Sequence, residues 1–303
     1  MLRTFRIPLN LHQVHPQRPF PRPPDVLWLP LVFLTSFGFG QLFKWSQRRG
    51  CYAPAVVSTN YLVLATCLLV YYLATGGLEL SRPALILGLY TGIAFICSML
   101  IMTWALEKVA VATVLTAFRL AILVPVLASI GLWDEHIGWG QLAGIGLALA
   151  SLVLMTWSRS GNGRLLGAAG LTLTLLVFLL QGISHTCMRW IHYAGLDQQR
   201  QHVLLVTAVT AGILGTLFVL AKGRRPNPKD LAMGAGIGLF NLMALTILLT
   251  ALTQVKGTVF FPLQGCAVVI LDNLCAHFIW RESLSRRAAI GALLGALAML
   301  LIV

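Results

Sequence analysis

LVFLTSFGFGQLFKW, Leu31 to Trp45, returns about 145 residues later as LVFLLQGISHTCMRW, Leu176 to Trp190. The four opening residues are identical, and each segment closes on a cation followed by tryptophan, Lys44-Trp45 and Arg189-Trp190. The correspondence runs outward from there. Gly50 meets Gly195, Gly88 and Gly92 meet Gly234 and Gly238, and Ala105-Leu106 meets Ala251-Leu252. Trp133, Glu135 and Gly144 then meet Trp280, Glu282 and Gly291. The offset creeps only from 145 to 147, so two small gaps align the whole chain onto itself. Two copies of one unit follow each other in this sequence.

Hydrophobic residues make up 58% of the chain and charged residues 10%, with a mean hydropathy of +0.83. Soluble domains carry about 25% charged residues, so this composition is that of an integral membrane protein. Windows long enough to cross a bilayer, roughly 20 apolar residues each, fall at 26–43, 53–74, 83–105, 109–132, 137–157, 165–188, 201–221, 231–252, 257–280 and 288–303. They are long and unbroken rather than alternating, which excludes barrel strands. Each copy holds five of these spans. An odd unit enters the membrane from opposite sides in its two copies, giving an inverted-topology repeat of the kind found in secondary transporters. The expected fold is all-α and integral to the membrane, with ten transmembrane helices in two inverted five-helix repeats, residues 26–157 and 165–303.

A net charge of +13 would suggest nucleic acid in a soluble protein. Here the bases sit in short loops between spans, where they set orientation instead, and no nucleic-acid partner is expected. The six cysteines show no CxxC spacing and mostly lie within spans, so they read as small packing residues. Residues 1–25 form a polar tail rich in Pro and Arg, expected to be a disordered cap. No apolar stretch with a small-residue cleavage site follows its basic start, so a cleaved signal peptide is not expected.

Loop charges sort by side. The tail and the loops after spans 2, 4, 6 and 8 carry eight bases: the four tail arginines, Arg82, Arg189, Arg200 and Lys256. The opposite side carries thirteen, and Arg119 lies within a span. Positive charge accumulates on the cytoplasmic side, which places both termini outside and the protein in the cell (inner or plasma) membrane. The tail arginines pull the other way.

The copies end alike, in WDEHIGWGQLAGIGLALASLVLM (Trp133 to Met155) and WRESLSRRAAIGALLGALAMLLIV (Trp280 to Val303). A short loop with Glu, then a small or polar residue, then a Gly-rich final helix resembles the EamA-type unit of the drug/metabolite transporter superfamily. The resemblance covers about residues 27–303. It implies two inverted five-helix bundles around a central cavity lined by spans 1, 3, 4, 6, 8 and 9, and transport of a small metabolite, with protons or another solute often coupled. It assigns no role to Arg119 or Asp272, which have no counterparts in the opposite copy.

Arg119 lies mid-span in TVLTAFRLAILVP. A charge at that depth costs roughly 2.5–3.5 kcal/mol on insertion scales, so it faces a cavity or a partner. It fits a substrate carboxylate or phosphate, and equally a structural pair with a neighbouring carboxylate. Asp272 is the carboxylate set deep in span 9; burial opposes its charge and a nearby Arg119 favours it, so it is a candidate coupling group or half of a fixed ion pair. Gln264 precedes it by two turns, roughly on the same face. Gln181, Ser184 and His185 share one face of span 6. His185 is a second coupling candidate, as the side chain that switches charge near neutral pH, or else a plain interhelical hydrogen-bonding group. Asn60, Tyr61, Tyr90 and Asn241 complete the polar inventory, each alone serving as packing glue.

The candidate substrate-binding set is therefore Arg119, Gln181, His185, Asn241, Gln264 and Tyr90. Gly-x3-Gly pairs at 88/92, 140/144, 234/238 and 291/295 read as close helix contacts. Pro125 and Pro262 are expected to bend spans 4 and 9. Glu135 and Glu282 precede the last helix of each copy, where a carboxylate favours a helix N-terminus.

Function expected on these grounds is secondary transport of a small polar or anionic metabolite by alternating access. A membrane-embedded enzyme would need a nucleophile–base pair or ligand cluster at depth, and no HExxH or GxSxG is present. A non-transporting scaffold or receptor would not need Arg119 and Asp272. Expected partners are the metabolite and the lipid bilayer, with a homodimer left open and no cofactor.

Overall fold

The structure is a computed structural model and describes residues 28–109, 111–157, 168–279 and 286–302. The tail, Trp280 and Glu282 lie outside the described residues. Every described element is helical: α1 (Trp28–Arg48), α2 (Ala53–Thr75), α3 (Arg82–Lys108), α4 (Val111–Leu120), α5 (Leu123–Trp133), α6 (Trp139–Trp157), α7 (Ala168–Tyr193), α8 (Arg200–Ala221), α9 (Pro228–Leu252), α10 (Gly257–Phe278) and α11 (Arg286–Ile302). Six stretches are long and apolar enough to cross a membrane: 53–75, 82–105, 169–193, 197–221, 228–252 and 257–275. The chain is thus a multi-pass, all-helical membrane protein.

Helix limits follow from local chemistry. Prolines sit in the first turns of α2, α3 and α9, where a missing N–H costs nothing. Ser81 Oγ accepts from the Ala84 amide at the start of α3. At the start of α9, Asp230 Oδ2 accepts from the Asn227 amide, while its Oδ1 accepts from Tyr52 and ties in the α1–α2 connection. The chain leaves α1 and α7 through Gly50 and Gly195 (φ +72° and +68°), and α2 and α8 through Gly76 and Gly223 (φ +64° and +65°). A left-handed exit recurs at matching positions of the two copies, and glycine adopts it without a Cβ penalty.

Span 4 departs from expectation. It is two helices, α4 and α5, broken at Ala121 and Ile122 just ahead of Pro125. Proline has no amide for the Ala121 carbonyl, which instead accepts from Val124. Gly182 of α7 seats against this break: a Cβ there would lie 2.4 Å from Val124 Cβ and 3.1 Å from the Ala121 oxygen. Pro262, by contrast, is carried inside the continuous helix α10.

The tightest contacts run between the copies rather than within them. α2 packs on α8, α3 on α7 and α8, α9 on α1 and α2, and α6 on α11. Glycines make two of these contacts possible. In α3, Cβ atoms at Gly88 and Gly92 would lie 2.6 Å from Val206 Cβ and 2.7 Å from the Thr207 oxygen of α8. In α9, Cβ atoms at Gly234 and Gly238 would lie 2.5 Å from Thr59 Cβ and 2.7 Å from the Asn60 oxygen of α2. Thr59 and Asn60 are the residues 147 positions before Val206 and Thr207. The same backbone approach is therefore built twice from corresponding residues, as small-residue packing in a bilayer requires.

A substitution at these glycines is expected to push helices apart. Gly238→Ala should destabilise the purified protein by about 1–3 kcal/mol, the usual cost of overpacking. Gly236→Ala, two residues away with open space around it, should be neutral or stabilising. Thermal unfolding of both variants in one detergent checks this, and equal melting temperatures would contradict it.

Candidate functional site

Asp272 of α10 and Arg119 of α4 meet. Arg119 Nη2 donates to Asp272 Oδ2 at 2.5 Å, and Gln41 Nε2 of α1 donates to Asp272 Oδ1 at 2.8 Å. Gln41 is held in turn by Cys275, one turn beyond Asp272, whose Sγ donates to Gln41 Oε1 at 3.4 Å. The pair keeps some access, with side-chain exposures of 26% for Arg119 and 15% for Asp272. Both carboxylate oxygens are engaged, which is how an ionic pair is tolerated at this depth.

The remaining candidates form smaller pairs. Ser98 Oγ of α3 donates to Gln181 Oε1 at 2.7 Å, and Gln181 Nε2 lies 2.9 Å from His185 Nε2. With Gln181 as donor, His185 Nε2 accepts and the imidazole is neutral. The His185 ring also rests on Phe261 of α10, with centroids 5.6 Å apart. Asn241 donates to Asn60 at 3.1 Å, and Gln264 donates to Ser36 at 2.9 Å. Tyr90 does not join this set. It is 56% exposed on an outer stripe of α3 with Ile86, Leu89 and Ile93, because the opposite face, with Gly88 and Gly92, packs on α8. A small crevice at α1, α2 and α9 is lined by Phe39, Phe43, Asn60, Tyr61 and Ile237.

Sequence reasoning passed over Gln41 and Ser36. Both lie in span 1, and the approach of α10 brings Asp272 to Gln41 and Gln264 to Ser36.

A second charged centre lies near the C-terminal end of α7. Arg189 is fully buried. Its Nη2 donates to Glu135 Oε1 at 2.7 Å, and its Nη1 donates to the carbonyls of Leu252 and Val255 at the end of α9. Glu135 Oε1 also accepts from Tyr193 Oη at 2.7 Å and from the Gly257 amide at 3.1 Å. Its Oε2 accepts from the amide and hydroxyl of Thr258 at 2.9 and 2.8 Å. Trp133 stacks on Tyr193 with centroids 4.5 Å apart.

Glu135 thus serves a helix N-terminus, but that of α10 in the other copy and not of α6, which follows it. The reason is access: the α5–α6 connection folds over the start of α10, where Arg189 already supplies a cation. Arg189, counted by sequence among solvated loop bases, is instead an interior group of α7. Burial raises the Glu135 carboxyl, but Arg189 and the donors from Thr258 and Tyr193 outweigh it and hold it at about 2.

No protein-family model matches the chain, and no curated protein matches it in sequence. Several solved structures are similar in fold; one determined by crystallography has a TM-score of 0.69 at 17% identity, covering 88% of this chain and 96% of that one. At that identity the likeness is one of fold alone.

Removing one partner of the buried pair leaves the other uncompensated, at a cost of about 3–5 kcal/mol. Arg189→Met is therefore expected to unfold at markedly lower temperature than the parent protein. The carboxyl value is depressed from an ordinary 4.5, so this stabilisation is present above that value and lost as pH falls through about 2. Melting curves between those limits should show the parent losing stability on acidification with a steeper slope than Glu135→Gln. Parallel slopes would show that Glu135 carries no such linkage.

Proposed function

We propose that the chain is a secondary transporter for a small polar or anionic metabolite, working by alternating access of two inverted five-helix repeats of the EamA type in the drug/metabolite transporter superfamily. The observation that carries this is the ion pair of Arg119 and Asp272. It joins α4 and α10, apolar helices of opposite copies, and remains partly accessible. Ionisable groups at such depth mark substrate or ion paths. A group pair bridging two moving units is also placed where both can act on one solute.

The repeat reading draws support from packing. Exchanging the helices of one copy for their counterparts maps the contacts of α3 with α7 and α8 onto those of α9 with α1 and α2. The glycine contacts recur between corresponding residues at offsets of 146 and 147, and the left-handed exits at offsets of 145 and 147. For orientation, taking Arg189 out of the loop bases widens the charge asymmetry in favour of termini outside, in the cell (inner or plasma) membrane. The site residues for substrate are Arg119 first, with Gln264, His185 and Gln181 on helices that pack on or near α10, and Asn241 beside the α1–α9 crevice.

Purified protein in proteoliposomes, tested for uptake and counterflow of amino acids, sugars and organic phosphates, examines the proposal. At least one polar class should be taken up. Arg119→Gln should lower that uptake about 10- to 100-fold, the scale of one or two charge-assisted hydrogen bonds, while the variant still purifies as a folded monodisperse protein. Absence of uptake across the panel would point to the scaffold alternative. Normal uptake by folded Arg119→Gln would make the ion pair purely structural.

A further inference from the structure

We propose that the Arg119 site takes a substrate anion together with one proton, the proton binding Asp272 as the anion displaces it from Arg119. The inference rests on the transporter reading and adds the substrate class and the coupling.

Its basis is occupancy. In the empty protein the guanidinium already holds an anion, the Asp272 carboxylate, through Nη2. A substrate carboxylate or phosphate must either join Asp272 on one cation or replace it. Joining leaves a net negative charge within the span, which the low-dielectric surroundings oppose. Replacement strands Asp272 as an unpaired carboxylate unless it leaves protonated.

The geometry suits protonation. Gln41 Nε2 binds Oδ1, not the oxygen facing Arg119. A proton from hydronium in the aqueous phase adds to Oδ2, the atom Arg119 releases, leaving neutral water behind, and Oδ1 of the resulting acid still accepts from Gln41. The new O–H then has the arriving anion or water to donate to. The site holds one positive and one negative charge before loading, Arg119 and Asp272, and one of each after it, Arg119 and the substrate. The loaded and empty carriers therefore cross with equal charge for a monoanion.

Few other groups compete for that proton. Of the helices packed on α10, α5 and α6 contain no titratable side chain. α1 brings Gln41 to the carboxylate and Lys44 one turn further, and α11 carries Arg286 and Arg287 in its first turn. On α10 itself Cys275 faces Gln41, and His277 lies one turn past Asn273. His185 of α7 contacts α10 at Phe261 and is engaged by Gln181.

The test uses the full chain in proteoliposomes with membrane potential clamped by potassium and valinomycin, and labelled pyruvate, glutamate and dihydrogen phosphate as probes, beside neutral sugars and amino acids. One-to-one coupling predicts about tenfold accumulation of the anion for each pH unit of inward acid gradient, unchanged when the potential is stepped. Asp272→Asn should abolish that accumulation while anion exchange at equal pH continues, because Arg119 is then free to bind. Uptake of an anion that follows the potential and ignores the pH gradient overturns the inference, as does pH-driven accumulation by Asp272→Asn. Uptake confined to neutral or cationic solutes overturns it as well, yet leaves the transporter reading standing. No uptake of any probe sinks both. If Asp272→Asn fails to fold, the potential-independence of the parent protein still decides the matter.

Discussion

Glu135 and Arg189 hold the two copies together at one end of the molecule. A carboxylate and a guanidinium, both withdrawn from solvent, are satisfied by the start of α10, the end of α9 and the tip of α7. Neither charge would be tolerated alone in this interior. Their partnership therefore fixes where the α5–α6 connection lies, and with it the position of α10. Since α10 carries Asp272, Gln264 and Phe261, the pair also sets where the polar groups of the candidate site sit. Helix-end amides and carbonyls that a bilayer cannot hydrate receive their partners in the same arrangement.

Five hydrogen bonds between polar side chains of the helices cross between copies. Arg119 and Gln41 reach Asp272, Ser36 reaches Gln264, Ser98 reaches Gln181, and Asn60 reaches Asn241. Inside lipid there is no water to satisfy such groups, so each is stable only where the opposite copy supplies a partner. The glycine contacts obey the same geometry, bringing α3 against α8 and α9 against α2. The copies are interlocked rather than stacked as two separate bundles. A movement that opens one end must shear these contacts, and the partly accessible ion pair lies among them.

The Gly-x3-Gly contacts at 88/92 and 234/238 and six of the spans were legible in the amino-acid order. They depend on chain geometry over a few residues: a close crossing needs small side chains at one helical spacing, and a span needs an unbroken apolar run. The break in span 4 was only half legible. Pro125 announced a disturbance, but a full interruption at Ala121 and Ile122 needed Gly182 of another helix to fill the gap, while Pro262 left α10 continuous.

Sequence alone determined the membrane class, because hydropathy is a property of residue order, and self-similarity set the expectation of an internal duplication. It also singled out Arg119 and Asp272, since any charge deep in an apolar run demands an explanation. Tertiary structure alone decided that these two answer each other, that Gln41 completes them, and that Tyr90 faces away. It likewise decided that Glu135 caps α10 instead of its own following helix, and that Arg189 is buried instead of solvated. Those outcomes depend on which helix face meets which across more than 50 residues of chain. A side chain's partner in a bilayer is set by the packing of helices, and periodicity along one helix specifies a face without specifying what lies opposite it.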